Sequence, residues 1–77
     1  MKAFVLVEIR SGGIEEAVRN IRGIPGVVEA HATFGPFDAV AIIEADSVAA
    51  LGRLVNLEVQ AVPGVEETLT CLATGDA

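Results

Sequence analysis

The sequence predicts a single α+β domain in which a four-stranded antiparallel sheet carries two helices on one face. Three observations point to it. Apolar runs with strand character and stretches with helical spacing follow one another as strand, helix, strand, strand, helix, strand. A Pro-Gly-Val tripeptide stands between each helix and the next strand, as Ile24-Pro25-Gly26-Val27 and again as Val62-Pro63-Gly64-Val65. The chain has 77 residues, enough for one core, and a domain of this size buries only roughly 60% of its unfolded surface.

From Ala3 to Ile9 nearly every residue is apolar, with Val5, Val7 and Ile9 on one face and Phe4 and Leu6 on the other, which predicts a central strand covered on both sides. Ser11-Gly12-Gly13 breaks the run. Ile14, Ala17, Val18 and Ile21 then recur at helical spacing, opposite Glu15, Glu16, Arg19 and Arg22, and this amphipathic helix stops near Gly23. After the Ile24-Pro25-Gly26 turn a strand is expected over Val27 to Phe34, with Val28, Ala30, Ala32 and Phe34 alternating against Val27, Glu29, His31 and Thr33. Gly35-Pro36 turns the chain into a third strand over Phe37 to Ala45. Asp46 or Ser47 can cap a second helix from about Val48 to Ala61. The last strand is expected from Val65 to about Thr74, with Val65, Leu69 and Cys71 on one face and Thr68, Thr70 and Leu72 on the other, and Gly75-Asp76-Ala77 as a frayed tail.

The two Pro-Gly-Val lead-ins make the halves of the chain read as one repeated unit. Right-handed crossovers then give the ferredoxin-like βαββαβ arrangement, with both helices on one side of the sheet. The other side is bare in a monomer. With 52% hydrophobic residues and a mean hydropathy of +0.57, the chain is more apolar than a small monomer readily hides, so pairing of sheet faces between copies is the expected use of that side. An ordinary exposed sheet with scattered apolar residues is the plainer alternative.

Composition excludes several classes. No apolar run approaches the ~20 residues that cross a bilayer, and no export signal opens the sequence. With Cys71 as its one cysteine the chain forms no internal disulfide, which fits a reducing compartment and predicts a cytoplasmic protein. Eleven acidic residues against five basic ones give a formal net charge of −6, which repels a phosphate backbone, and the absence of Trp and Tyr removes the usual stacking platform for RNA. His31 and Cys71 are the only residues of their kinds, too few for a metal site without added carboxylates, and no cofactor is implied.

The order of elements, the two Pro-Gly-Val lead-ins and Gly35-Pro36-Phe37-Asp38 between the second and third strands together resemble the RAM domain, the effector-binding domain of Lrp/AsnC transcription regulators. In that family the hairpin reads Gly-x-(Tyr or Phe)-Asp, and the last strand follows Pro-Gly-Val with alternating hydroxyl residues, as Thr68 and Thr70 follow Val65. The resemblance spans about the whole chain. It implies dimers paired through the sheet and assembled into octamer- or decamer-like rings, with an amino acid bound in clefts between dimers by Gly35, Phe37, Asp38, Thr68 and Thr70. Family regulators carry an N-terminal helix-turn-helix domain, whereas this sequence starts at the first RAM strand. It is therefore similar to a free-standing RAM protein, which could co-assemble with a DNA-binding relative without touching nucleic acid itself.

Elementary chemistry is compatible with these residues. Gly35 allows close backbone approach, Asp38 offers a carboxylate for an α-ammonium group, and the hydroxyls of Thr68 and Thr70 share a strand face. Gly35 and Pro36 also suit a plain turn, Asp38 a turn cap, and threonine any strand. Gly12-Gly13, at a helix start, could receive a carboxylate in the manner of an ACT-like domain, or could be a flexible link. For an enzyme, Cys71, His31 and Asp38 can be named as a nucleophilic set, but no activating motif accompanies them. A cofactor-free oxygenase of the same fold needs polar groups between sheet and helices, where this chain offers aliphatic faces. A non-enzymatic binding and assembly module is the expected function, with a purely structural oligomer as a further alternative.

Overall fold

A computed structural model of the chain describes residues 1–75. Asp76 and Ala77 of the expected frayed tail lie outside the described residues. The elements are β1 (Lys2–Ile9), α1 (Ile14–Arg22), β2 (Val27–Ala32), β3 (Ala39–Glu44), α2 (Val48–Leu54), which continues into a π-helical stretch over Val55–Val59, and β4 (Val65–Leu72). The strands form one antiparallel sheet in the order β2-β3-β1-β4. This is the ferredoxin-like α+β arrangement that the sequence predicts.

Every second residue of β1 faces the helices. Ala3, Val5, Val7 and Ile9 are buried there beside Ala39, Ala41 and Ile43 of β3 and Ala30 of β2. The helices close this layer with Ala17, Val18, Ile21, Leu51, Leu54, Val55 and Val59, joined by Val62 of the following turn, so the sixteen buried hydrophobic residues among those described lie in one cluster. No polar or charged residue is buried in it, and burial of this apolar surface is the main favourable term for folding.

The helix ends follow their local chemistry. In α1, Glu15 and Glu16 sit in the first turn and Arg19 and Arg22 in the last, complementing the helix dipole. Ser47 caps α2 by accepting the Ala50 amide on its Oγ at 3.1 Å. The Gln60 amide bonds the Val55 carbonyl at 3.0 Å, a five-residue step that winds the helix wider and ends it before Ala61.

Both Pro-Gly-Val segments form the same turn. Val27 N donates to Ile24 O at 3.0 Å and Val65 N to Val62 O at 3.1 Å, with Gly26 at φ 101° and Gly64 at φ 95°, as a type II turn with Pro at its second position requires. A bulge follows each turn. Val27 pairs with Ile43 and Glu29 with Ile42, leaving Val28 as the extra residue; Ile9 pairs with Val65 and Glu8 with Glu67, leaving Glu66 as the extra one.

These bulges correct the simple alternation expected for β2 and β4. Val27 and Val65 turn toward the helices and pack against the core, whereas Val28 is exposed and Leu69 and Cys71 belong to the opposite face. Strand ends also move: β2 stops at Ala32, β3 runs from Ala39 to Glu44 and β4 stops at Leu72, which places Phe34, Gly35, Pro36, Phe37 and Asp38 in the loop between β2 and β3.

Candidate functional site

The loop 33–38 is held by its own polar groups. Thr33 N donates to Asp38 O at 2.9 Å, and the Thr33 hydroxyl donates to Phe37 O at 2.7 Å. Asp38 N donates to Val7 O at 2.9 Å, and Asp38 Oδ2 accepts the Ile9 amide at 2.8 Å. One carboxylate oxygen of Asp38 therefore serves the backbone. Gly35 does not use its left-handed freedom, and a β-carbon there would meet open space.

Of the five site residues expected from the sequence, Phe37 and Thr68 meet on a surface cleft of about 230 Å³, whose walls also include Glu8, Glu67 and Leu69. The Thr68 hydroxyl accepts from Gln60 Nε2 at 2.8 Å, which orients it toward the helix side of β4, on the opposite face from Glu8, Glu67 and Leu69. Thr70 lies two residues further along the same strand face, opposite Val5, and is exposed. Gly35, Asp38 and Thr70 do not line the cleft.

Glu8 and Glu67 escaped sequence reasoning. They are direct cross-strand partners, and like charges so placed ordinarily destabilise a sheet. Among the described residues neither makes an ion pair. Their juxtaposition follows from the register between β1 and β4, which no spacing rule within one strand announces. The one available signal was that Glu8 interrupts an otherwise apolar face.

The remaining candidates separate. Gly13 N already donates to Arg10 O at 3.1 Å, so that amide is not free for a carboxylate. His31 on β2 and Cys71 on β4 occupy the two outer strands with β3 and β1 between them, roughly 14 Å apart at ordinary strand spacing. The set of Cys71, His31 and Asp38 is not assembled. His31 Nε2 instead lies 2.9 Å from Glu29 Oε1. A second surface cleft of about 380 Å³ lies along β2 beside Arg22, whose Nε donates to Ala30 O at 2.8 Å.

The bare sheet face has an ordered pattern. Pairing aligns Leu69, Leu6, Val40 and His31 in one row and Cys71, Phe4, Ile42 and Glu29 in the next. Beyond the first row lie Glu8 and Glu67; beyond the second lie Lys2 and Glu44. Phe4 is 38% and Leu69 52% exposed, so the band that the sequence reading expects to be covered is open in the single chain. No helix among the described residues is long and apolar enough to cross a membrane.

Comparison with known proteins agrees with this architecture. The crystal structure of TTHA0845 from Thermus thermophilus superposes with a TM-score of 0.92 at 32% identity, covering 99% of this chain and 95% of that one. Escherichia coli AsnC has a TM-score of 0.90 at 18% identity, and 97% of this chain covers 51% of it. The transcriptional regulator NMB0573 of Neisseria meningitidis, solved in complex with L-Met, has a TM-score of 0.86 at 21% identity, with 97% of this chain covering 50% of that protein. The last two likenesses show the fold. No curated protein matches the sequence. Residues 2–75 match the family described as the Lrp/AsnC ligand binding domain, and the chain belongs to that family.

Proposed function

We propose that this domain is a non-catalytic effector module that binds an amino acid at the loop 33–38 and the adjoining part of β4, and pairs with a second copy through its bare sheet face. The observation that carries this reading is the convergence of Phe37 and Thr68 on one cleft next to that face. Phe37 supplies an apolar wall, Thr68 a stretch of the β4 edge, and Glu8 and Glu67 negative charge suited to an α-ammonium group. Gly35, Asp38 and Thr70 border the same region and become ligand contacts once a neighbouring dimer closes the cleft. The L-Met complex of the neisserial regulator supports the amino-acid class.

Paired dimers assemble into octamer- or decamer-like rings, and a ligand touching two protomers favours assembly by mass action. The domain works in the cytoplasm, alone or together with a DNA-binding relative of the same family, and does not contact nucleic acid or membrane itself. Light scattering and thermal melting with each of the twenty amino acids test this. A mass or melting temperature that responds to particular amino acids, and ceases to respond in Thr68→Val and Phe37→Ala, is the expected result. An assembly indifferent to all twenty would sink the effector role and leave a structural one.

A further inference from the structure

The two halves of the chain make the same contact with different chemistry. Arg22, the last residue of α1, and Gln60, just past the π-helical stretch, occupy corresponding places ahead of the two Pro-Gly-Val turns. Each reaches the strand eight positions later: Arg22 Nε donates to Ala30 O at 2.8 Å, and Gln60 Nε2 donates to Thr68 Oγ1 at 2.8 Å. A neutral amide therefore suffices to tie helix end to strand in one half. The positive charge of Arg22 is surplus to that task in the other.

That charge also lacks a partner. Arg22 makes no ion pair among the described residues. Glu29 lines the same cleft, but its Oε1 lies 2.9 Å from His31 Nε2 instead. With Nε committed to Ala30 O, the guanidinium makes no other hydrogen bond among the described residues, so its two terminal amino groups remain as a planar fork.

The cleft that Arg22 borders, of about 380 Å³, is the larger of the two described above. Val27 and Ala30 line it from the side of the helices, and Val28, the extra residue of the β2 bulge, adds an exposed apolar side chain. Bulges re-aim side chains in this way. Glu29 and His31 belong to the other face, so the cleft wraps around the β2 margin.

Two donors in one plane match the two oxygens of a carboxylate. Phosphate is the poorer match, because a doubly charged group would meet a single cation beside Glu29 on a chain of net charge −6. Val27, Val28 and Ala30 suit an aliphatic arm on that carboxylate. We infer that the cleft at the β2 margin binds a small aliphatic carboxylic acid, held by the terminal amino groups of Arg22. This site is separate from the amino-acid cleft proposed above, since β2 and β4 are the outer strands, with β3 and β1 between them.

Amide NMR on the full chain, titrated with sodium isocaproate, tests the site. Saturable shifts centred on Val28, Ala30, His31 and the Arg22 Nε–H are expected, and neutral isocaproamide should produce none. Arg22→Gln, which copies the neutral group of the other half, should weaken binding about tenfold or more through loss of charge-assisted hydrogen bonds. Arg22→Lys, which keeps the charge without the fork, should fall between; thermal melts establish that both variants fold. Phe37→Ala should bind isocaproate as the native chain does. Equal shifts with the amide, unchanged affinity in Arg22→Gln, or tighter binding of inorganic phosphate at the same amides would each overturn the carboxylate site. So would a native chain whose amides do not move, or a response lost in Phe37→Ala, which would put the acid in the other cleft. The amino-acid reading is decided separately, by whether amino acids move the β4 cleft.

Discussion

Asp38 extends the sheet by one step before the start of β3: its Oδ2 accepts the Ile9 amide at 2.8 Å, across 29 positions of sequence, where the incoming strand does not yet offer a carbonyl. Truncation in Asp38→Ala should therefore leave a partly buried amide unsatisfied and cost about 1–3 kcal/mol of stability, measured by urea unfolding. Asp38→Asn, which keeps an acceptor oxygen, should retain most of it. A fully stable alanine variant would show the contact to be dispensable and leave the carboxylate to a ligand alone.

Three glycines should rank in a set order when replaced by alanine. Gly26 has φ 101°, and an added β-carbon would lie 2.5 Å from Leu54 Cδ1 and 3.4 Å from the Glu44 carbonyl, so strain and a clash with a buried side chain combine. Gly64 has φ 95° but its nearest neighbour, Ile9 Cγ2, is 3.6 Å away, leaving mainly the backbone penalty of ~1–2 kcal/mol. Gly35 has neither problem and should tolerate alanine within about 0.5 kcal/mol. Melting temperatures of the three variants check the order.

Ile43 is fully buried in the central layer, whereas Leu57 is largely exposed on the π-helical stretch. Ile43→Ala should cost about 2–5 kcal/mol and Leu57→Ala less than about 0.5 kcal/mol. Chemical denaturation of the two variants should show that contrast; similar losses would mean that Leu57 is covered in solution.

Leu6 lies in the middle of the bare face, half-buried between Val40 and Leu69. A charge placed there by Leu6→Lys should abolish sheet pairing, because an unpaired ammonium would have to be buried, while the single chain still folds with the lysine at its surface. Light scattering should then report the monomer mass with an unchanged circular dichroism spectrum.

Serine at position 47 was one of two candidate caps, and its hydroxyl is the one that accepts the Ala50 amide. Ser47→Ala should lower stability by about 0.5–2 kcal/mol, and Asp46→Ala by less, in parallel thermal melts.

The element order, the central place of β1 and the helix-facing residues were legible because each rests on local periodicity: Ala3, Val5, Val7 and Ile9 alternate, and Ala17, Val18 and Ile21 recur by turns. The faces of Val27 and Val65 were not. A bulge adds one unpaired residue, and whether it occurs depends on the partner strand, which spacing within one strand cannot report. The same limit hid Glu8 and Glu67. Their proximity arises from the register between the two strands, while Phe37 and Thr68 were reached through the family resemblance and meet on the cleft. Asp38 was legible as a loop carboxylate, but its tie to Ile9 required knowing where β3 begins.

Arg22 bears on how this sheet behaves in a crowded cell. The Ala30 carbonyl of the edge strand β2 is taken by the Arg22 guanidinium, which donates to it through Nε. A sheet with two sticky margins can recruit neighbours without end, strand after strand, into a fibre. With the Ala30 acceptor taken by its own chain, the β2 margin offers an incoming strand an interrupted ladder, which hinders lateral growth there.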